Sequence, residues 1–366
     1  MTVPAAILEL IARFTEHSDT DRSPAYKEAQ VRIEFLNPVF EALGWDVSNR
    51  QGHAEAYKEV ISEDTLRIAG DSKAPDYALR IGGVRKFFVE AKKPSVSVER
   101  DAGPAYQLRR YAWSAKLPLS ILSDFEEWAI YDTRIRPALG DKASTARIQY
   151  FTYQELPDHW DFLVATFSRE AILKGSFDKY AETKKGKRGT PTVDDAFLEE
   201  LEEWRIALAK NLAVRNLELE QRELNFAVQR TIDRIIFLRI CEARGIEEYG
   251  RLSALTNGLH IYERLCELFR RADQRYNSGL FHFRKEKERE EAPDGLTLGL
   301  KVDDKVLKDI IGDLYYPESP YEFSVLPADI LGQKHQPCPG AVDSHSCDPG
   351  RLTKEPECSA ADRRSR

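Results

Sequence analysis

Two short apolar runs separated by a pair of glycines constrain the fold more than any other feature of the chain. Residues 76–81 (DYALRI) alternate apolar and polar side chains, and residues 86–91 (KFFVEA) resume as a second strand. Gly82-Gly83 between them suits a tight turn that needs positive φ. Residues 76–91 therefore read as a β-hairpin. A helix is predicted before it, over 24–43 (PAYKEAQVRIEFLNPVFEAL), with Ser23 as N-cap and Pro24 at the first helical position. Val31, Phe35 and Val39 recur at helical spacing and Gly44 follows as a stop, while Pro38 should bend or split the helix. A second helix is predicted over 99–116, with Ala105, Leu108, Ala112 and Ala115 along one face. Leu119–Leu122 and Trp128–Tyr131 then read as two strands across a tight turn. The order helix, hairpin, helix, hairpin predicts an α/β fold, a mixed sheet with helices on its faces.

The rest of the chain divides by composition. The α/β pattern runs over residues 1–170. Residues 171–193 include a polar, basic, Gly-containing stretch (DKYAETKKGKRGTPT) and read as a linker. Residues 194–333 read as an all-α connector. From Asp194 to Gly245 the pattern is helical with no Pro or Gly between, and residues 259–271 add a further helix. Residues 334–366 hold no Phe, Tyr or Trp and no periodicity, and read as a disordered tail of out-of-frame or vector-derived character. Five cysteines with no CxxC pair argue against a disulfide framework or zinc ribbon, and Cys241 and Cys266 read as buried thiols. A net charge of −7 excludes a whole-chain electrostatic grip on nucleic acid, so any such contact needs a local basic face. No run approaches the roughly 18 apolar residues of a membrane span, and no signal peptide is evident, so a cytoplasmic location is expected.

The chemical signal sits on the hairpin. Pro75-Asp76 opens the first strand, and Glu90-Ala91-Lys92 closes the second. Strand side chains repeat every two residues, so Glu90 and Lys92 share a face. Two carboxylates converging on one sheet edge suit Mg²⁺, a hard cation that takes one or two carboxylates plus phosphate oxygens. A lysine beside them can offset charge on a phosphorane-like transition state. A solvated edge would let Glu90 and Lys92 be replaced at little cost in stability.

The order Glu34 on an early helix, Pro75-Asp76, Val89-Glu90-Ala91-Lys92 and Gln107-Leu-Arg-Arg-Tyr111 resembles the PD-(D/E)xK nuclease superfamily. Within it, the chain looks like the N-terminal nuclease part of restriction enzymes, above all the fused type IIG restriction–modification proteins, with the type I restriction subunit as a cousin. VRIEFLNPVFEALGWDV is similar to that family's opening helix, DYALRIGGVRKFFVEAKKP to its catalytic hairpin, and AYQLRRYAWSAKLPLSILSDFEEWAIYD to its Gln-xxx-Tyr helix and closing hairpin. These motifs cover residues 24–135. LNFAVQRTIDRIIFLRICEARGI looks like the helical connector that joins nuclease to methyltransferase.

The resemblance implies a restriction-endonuclease-like mixed sheet followed by an all-α connector, and a role for each matched position. Asp76 and Glu90 would be the metal ligands, Lys92 the catalytic lysine, and Glu34 would help hold the metal or its water. Gln107 and Tyr111 would steady the site or contact DNA backbone, if they are not simply a packed helix face. Arg109, Arg110, Lys93 and Arg100 would add positive charge toward phosphates. The implied function is that of a truncated restriction–modification protein keeping a Mg²⁺-dependent endonuclease, Mn²⁺ serving in its place. Double-stranded DNA is the expected partner, with a second copy for double-strand cleavage, and no membrane. No Gly-rich cofactor loop and no Asn-Pro-Pro-Tyr/Phe motif occurs, so no S-adenosylmethionine site is expected. No GxxxxGK(S/T) loop occurs, which argues against an ATP-driven motor. Two other readings stay open, a non-catalytic adaptor acting through its helices and the nuclease part of a type I restriction subunit.

Overall fold

The structure, a computed structural model, describes residues 2–23, 25–62, 75–177, 179, 191–276, 278–285 and 292–326. The expected tail from Lys334 and the basic stretch 180–190 lie outside the described residues.

A six-stranded sheet forms the first half, its strands neighbouring one another in chain order. They are β1 (Val60–Ser62), β2 (Tyr77–Ile81), β3 (Val84–Ala91), β4 (Leu119–Ser123), β5 (Glu127–Asp132) and β6 (Arg147–Thr152). Every pairing is antiparallel except β3 with β4, where Glu90 lies opposite Leu122. Helix α4 (Ala102–Ser114) makes the crossover that this one parallel pair requires. The β2–β3 turn has φ of 58° at Gly82 and 80° at Gly83. Two positive values in a two-residue loop match the twist of the flanking strands, which is why the glycines pin the register.

Alternation along β3 sends its side chains into two separate cores. Phe87, Val89 and Ala91 pack beneath α1 (Ala5–Asp21), the helical run 28–42 and α5 (Leu156–Phe167). Phe88 faces the other way, into a core with Leu108, Tyr111 and Ala112 of α4. The sheet is therefore mixed and covered by helices on both faces, as the pattern predicts.

The opening helix departs from its expected form. It begins with α2 (Glu28–Val31), where the Lys27 N–H donates to Gln30 Oε1 (2.9 Å), rather than with a cap at Ser23. A π-turn at Arg32–Leu36 follows, then α3 (Asn37–Ala42). Pro38 accounts for the π-turn, because it has no N–H for the Glu34 carbonyl and its ring crowds that oxygen. The Arg13 guanidinium donates to this orphaned carbonyl instead, and it also lies 4.5 Å over the Phe35 ring. Phe35 in turn meets Phe14 (5.3 Å) and stacks on Phe125 (4.6 Å). Phe35→Ala should therefore cost about 3–5 kcal/mol of unfolding free energy, read by urea denaturation. A loss below about 1 kcal/mol would mean that this aromatic nest does not seat the helix.

Beyond the sheet, α6 (Arg169–Leu173) leads to Ile172 and Phe177, both buried in the core under β3. The helical half follows, with α7 (Val193–Arg215), α8 (Gln221–Ala243), α9 (Ile261–Arg275) and α10 (Asp304–Gly312) around their own core. One long helix from 194 to 245 is not what forms. The chain breaks after Arg215 without Pro or Gly, because the buried Asn216 side chain bonds backbone in two places. Its Nδ2 donates to the carbonyls of Leu212 (3.0 Å) and Lys301 (2.9 Å), and its Oδ1 accepts from Lys301 N–H (2.9 Å). Local bonding of this kind competes with helix continuation. Cys241 and Cys266 are buried free thiols. Among the described residues no helix is long and apolar enough to cross a membrane. The fold is thus an α/β mixed sheet followed by a helical region.

Candidate active site

Asp76 and Glu90 each lie one residue beyond the last paired position of β2 and β3, Tyr77 opposite Val89. Both are buried, at 3% and 2% exposure. The solvated edge expected for Glu90 and Lys92 is not what forms, because β3 is an inner strand between β2 and β4 and helices close over both faces. Buried charge must be paired or neutralised, and the pairing is explicit here. Lys92 Nζ donates to Glu90 Oε1 at 2.6 Å, and Gln107 Nε2 from α4 donates to the same oxygen at 2.9 Å. The Ala91 N–H donates to Asp76 Oδ2 at 2.7 Å, and Arg32 Nη1 to Asp76 Oδ1 at 3.1 Å. Glu28 Oε2 stands 3.6 Å from Lys92 Nζ.

Asp76, Glu90, Lys92 and Gln107 thus converge as the sequence suggested, and two unforeseen residues join them. Glu28 and Arg32, four apart on one face of the opening helix, bring a third carboxylate and a second cation. Glu34 is the residue they displace. It lies two positions past Arg32 within the π-turn, its side chain is exposed, and only its backbone carbonyl is engaged, by Arg13. The i,i+4 spacing of Glu28 and Arg32 was visible in the sequence. Their long-range partners were not.

The basic residues on α4 also need correction as DNA contacts. Arg109 is 1% exposed, with Nη1 on Asp141 Oδ2 at 2.6 Å. Arg110 is also buried, with Nη2 on the Tyr321 carbonyl at 2.6 Å and Nη1 3.1 Å from Glu322 Oε2. Both guanidiniums are committed to this chain's own acceptors. Tyr111 is buried in the core between α4 and the sheet, so it packs rather than facing DNA. Lys93 stays half-buried beside the site, and Arg100 is exposed.

The charges do not balance. Three carboxylates face two cations. Burial first, then the charges of Glu90 and Glu28, push the Asp76 carboxyl up to about 8, against the pull of Lys92 and the Ala91 N–H. Burial alone would lower the Lys92 ammonium, but Glu90, Glu28 and Asp76 raise it above its ordinary value, so it stays charged. A fixed cation at Lys92 is suited to electrostatic stabilisation and not to base catalysis. Among the described residues no group of three or more His, Cys, Asp or Glu side chains is arranged to hold a metal by itself. A two-carboxylate site completed by water and phosphate oxygens is the arrangement that Mg²⁺ commonly takes. Relief of the strained Asp76–Glu90 pair by a divalent cation fits this donor set.

Comparison with known proteins bears on the same residues. Residues 58–138, which carry β1 to β5 and α4, match the family described as the type I restriction enzyme R protein N terminus. The chain is also 37% identical over 329 residues to the type II restriction enzyme and methyltransferase RM.Eco57I of Escherichia coli. That match takes in 89% of this chain and 32% of the relative, so the chain spans about a third of that protein's length. No solved structure matches the chain. The resemblance read from the residues holds on both counts: the chain is similar to the N terminus of type I restriction enzyme R proteins over residues 58–138, and over most of its length to about a third of a type II restriction enzyme and methyltransferase.

Proposed function

We propose that this chain is the Mg²⁺-dependent DNA endonuclease part of a restriction–modification protein, of the PD-(D/E)xK kind and closest in design to the fused type IIG enzymes. The observation that carries the reading is the convergence of Asp76, Glu90 and Lys92, buried and hydrogen-bonded, at the end of two adjacent strands. Asp76 and Glu90 would hold the cation. When bound, Mg²⁺ or Mn²⁺ supplies Lewis acidity toward the scissile phosphate and a more acidic water. The protein's own groups do the rest. Arg32 and the Ala91 N–H fix the Asp76 carboxylate, Gln107 fixes Glu90, and Glu28 with Glu90 keeps the Lys92 ammonium charged and aimed at the site. That ammonium offsets negative charge as it grows on the phosphate oxygens. Of the basic residues expected to meet backbone phosphate, Lys93 and Arg100 are the ones not buried.

Supercoiled-plasmid cleavage at low salt, with wild type beside Asp76→Ala, tests this. Nicking or cutting is expected only with Mg²⁺ or Mn²⁺, and it should be weak and fall further as salt rises, because what holds an acidic protein on DNA is a small set of phosphate contacts. S-adenosylmethionine should change nothing. Equal cleavage by Asp76→Ala, or cleavage in EDTA, would sink the reading. End sequencing that found a discrete site stimulated by S-adenosylmethionine would show that recognition and cofactor functions reside in this chain too.

A further inference from the structure

The segment Leu314–Leu326 returns from the helical half and is gripped from both sides by arginines, of which Arg239 and Arg110 are buried. On the helical side, Arg239 of α8 donates from Nε to the Leu314 carbonyl (2.9 Å) and lies over the rings of Tyr315 (4.4 Å) and Phe323 (5.0 Å). Arg244 donates to the Leu326 carbonyl (3.2 Å). On the other side the contacts fall on a single helix, α4. Arg110 holds the Tyr321 carbonyl and Glu322, the Glu322 N–H donates to Ser114 Oγ (2.8 Å), and Trp113 stacks on Tyr321 at 5.5 Å. Val325 enters the core under α4 beside Leu108 and Tyr111.

One stripe of helix α4, with Gln107, Arg110 and Ser114 at i, i+3 and i+7, therefore has two tasks. Arg110, Trp113 and Ser114 carry the strap, while Gln107, less than one turn before Arg110, holds the Glu90 carboxylate. A helix is stiff over one turn, so a displacement at Arg110 moves Gln107 beside it. Proximity effects are steep enough that a misplacement of about 1 Å can cost on the order of 10²-fold in rate. We propose that Arg110 is a positioning residue for the nuclease site: through the strap Leu314–Leu326 it sets the seat of α4 and hence of Gln107 on Glu90, making cleavage answer to the helical half. This deepens the nuclease reading and rests on it.

The test is a double-mutant cycle in the full chain. Arg110→Ala and Glu322→Gln should each lower the kcat of plasmid cleavage roughly tenfold or more, with KM held within about twofold, because the loss lies in site geometry and not in DNA contact. On a Gln107→Ala background, Arg110→Ala should add no further loss, since both act through one bond. Independent multiplication of the two effects, a rise in KM alone, or unchanged kcat in Glu322→Gln would overturn the proposal. Should Arg110→Ala fail to fold, Glu322→Gln decides, since it keeps the strap's backbone bond to Ser114. Folded wild type that cleaves nothing would defeat the nuclease reading separately. Amide exchange then judges the strap. Faster exchange across Ala105–Ala112 in Glu322→Gln supports it, and a change confined to the strap refutes it.

Discussion

Lys92→Ala should abolish DNA cleavage and destabilise the protein at the same time, and the two losses should come apart in a double variant. The ammonium is the nearest counter-charge of Glu90, which is 2% exposed and cannot recover water when its partner goes. Breaking a buried pair by removing one member costs about 3–5 kcal/mol. Glu28 sharpens the effect, for Lys92→Ala takes away the cation that Glu90 and Glu28 share. Replacing Glu90 by Gln removes that orphaned charge while keeping an oxygen for Gln107. The Glu90→Gln/Lys92→Ala double variant should therefore regain most of the lost stability in urea denaturation. It should stay inactive, because a carboxylate ligand and a charge-stabilising cation are both gone, each loss worth on the order of 10²–10³-fold or more in rate. Two outcomes are incompatible with this account. One is a double variant less stable than Lys92→Ala, and the other is a stable Lys92→Ala that still cleaves.

That prediction reverses the stability expectation drawn from the sequence, and the reason is physical. The order of residues carries strand alternation, so the shared face of Glu90 and Lys92 was legible. So was the hairpin, because Gly82-Gly83 admits few other turns. Burial was not legible, since it depends on β4 joining β3 in parallel and on two helices closing over the strand ends. The same gap explains Arg109 and Arg110. A basic residue on an amphipathic helix looks solvated until its acceptors are known, and those of Arg110 lie about two hundred positions away, at Tyr321 and Glu322. Glu34 illustrates a different failure. Its helix was foreseen, but Glu34 lies in the π-turn with its side chain exposed, and it is Glu28, six residues earlier and on another face, that meets Lys92. The edge strands escaped for a third reason. β1 is three residues long, and β6 is mostly half-buried on both faces, so neither shows a clean alternation.

Divalent cations should stabilise the folded protein and be required for cleavage, both through the same two carboxylates. Asp76 and Glu90 are forced together by the register of β2 and β3, and burial first, then the charges of Glu90 and Glu28, hold Asp76 up to about 8. A cation that binds the folded pair and not the unfolded chain adds RT ln(1 + [M]/Kd) to stability. Affinity is expected in the micromolar-to-millimolar range, as for sites of few protein ligands that phosphate completes. With Mn²⁺ at a hundred times Kd, the gain is about 2.7 kcal/mol, or roughly 3–4 °C in the melting temperature of a protein this size. Glu90→Gln should show no such shift and no cleavage, because one charged ligand of two is removed. Glu28→Gln should shift less than wild type without losing the response, since Glu28 adds charge beside Asp76 and Lys92 but is not one of the two ligands. Differential scanning fluorimetry against Mn²⁺, run beside plasmid cleavage in EDTA and in metal, reads both effects from one preparation. Equal stabilisation of wild type and Glu90→Gln would place the cation elsewhere on the molecule. A metal-stabilised wild type that fails to cut any DNA would instead keep the site and remove the nuclease from it.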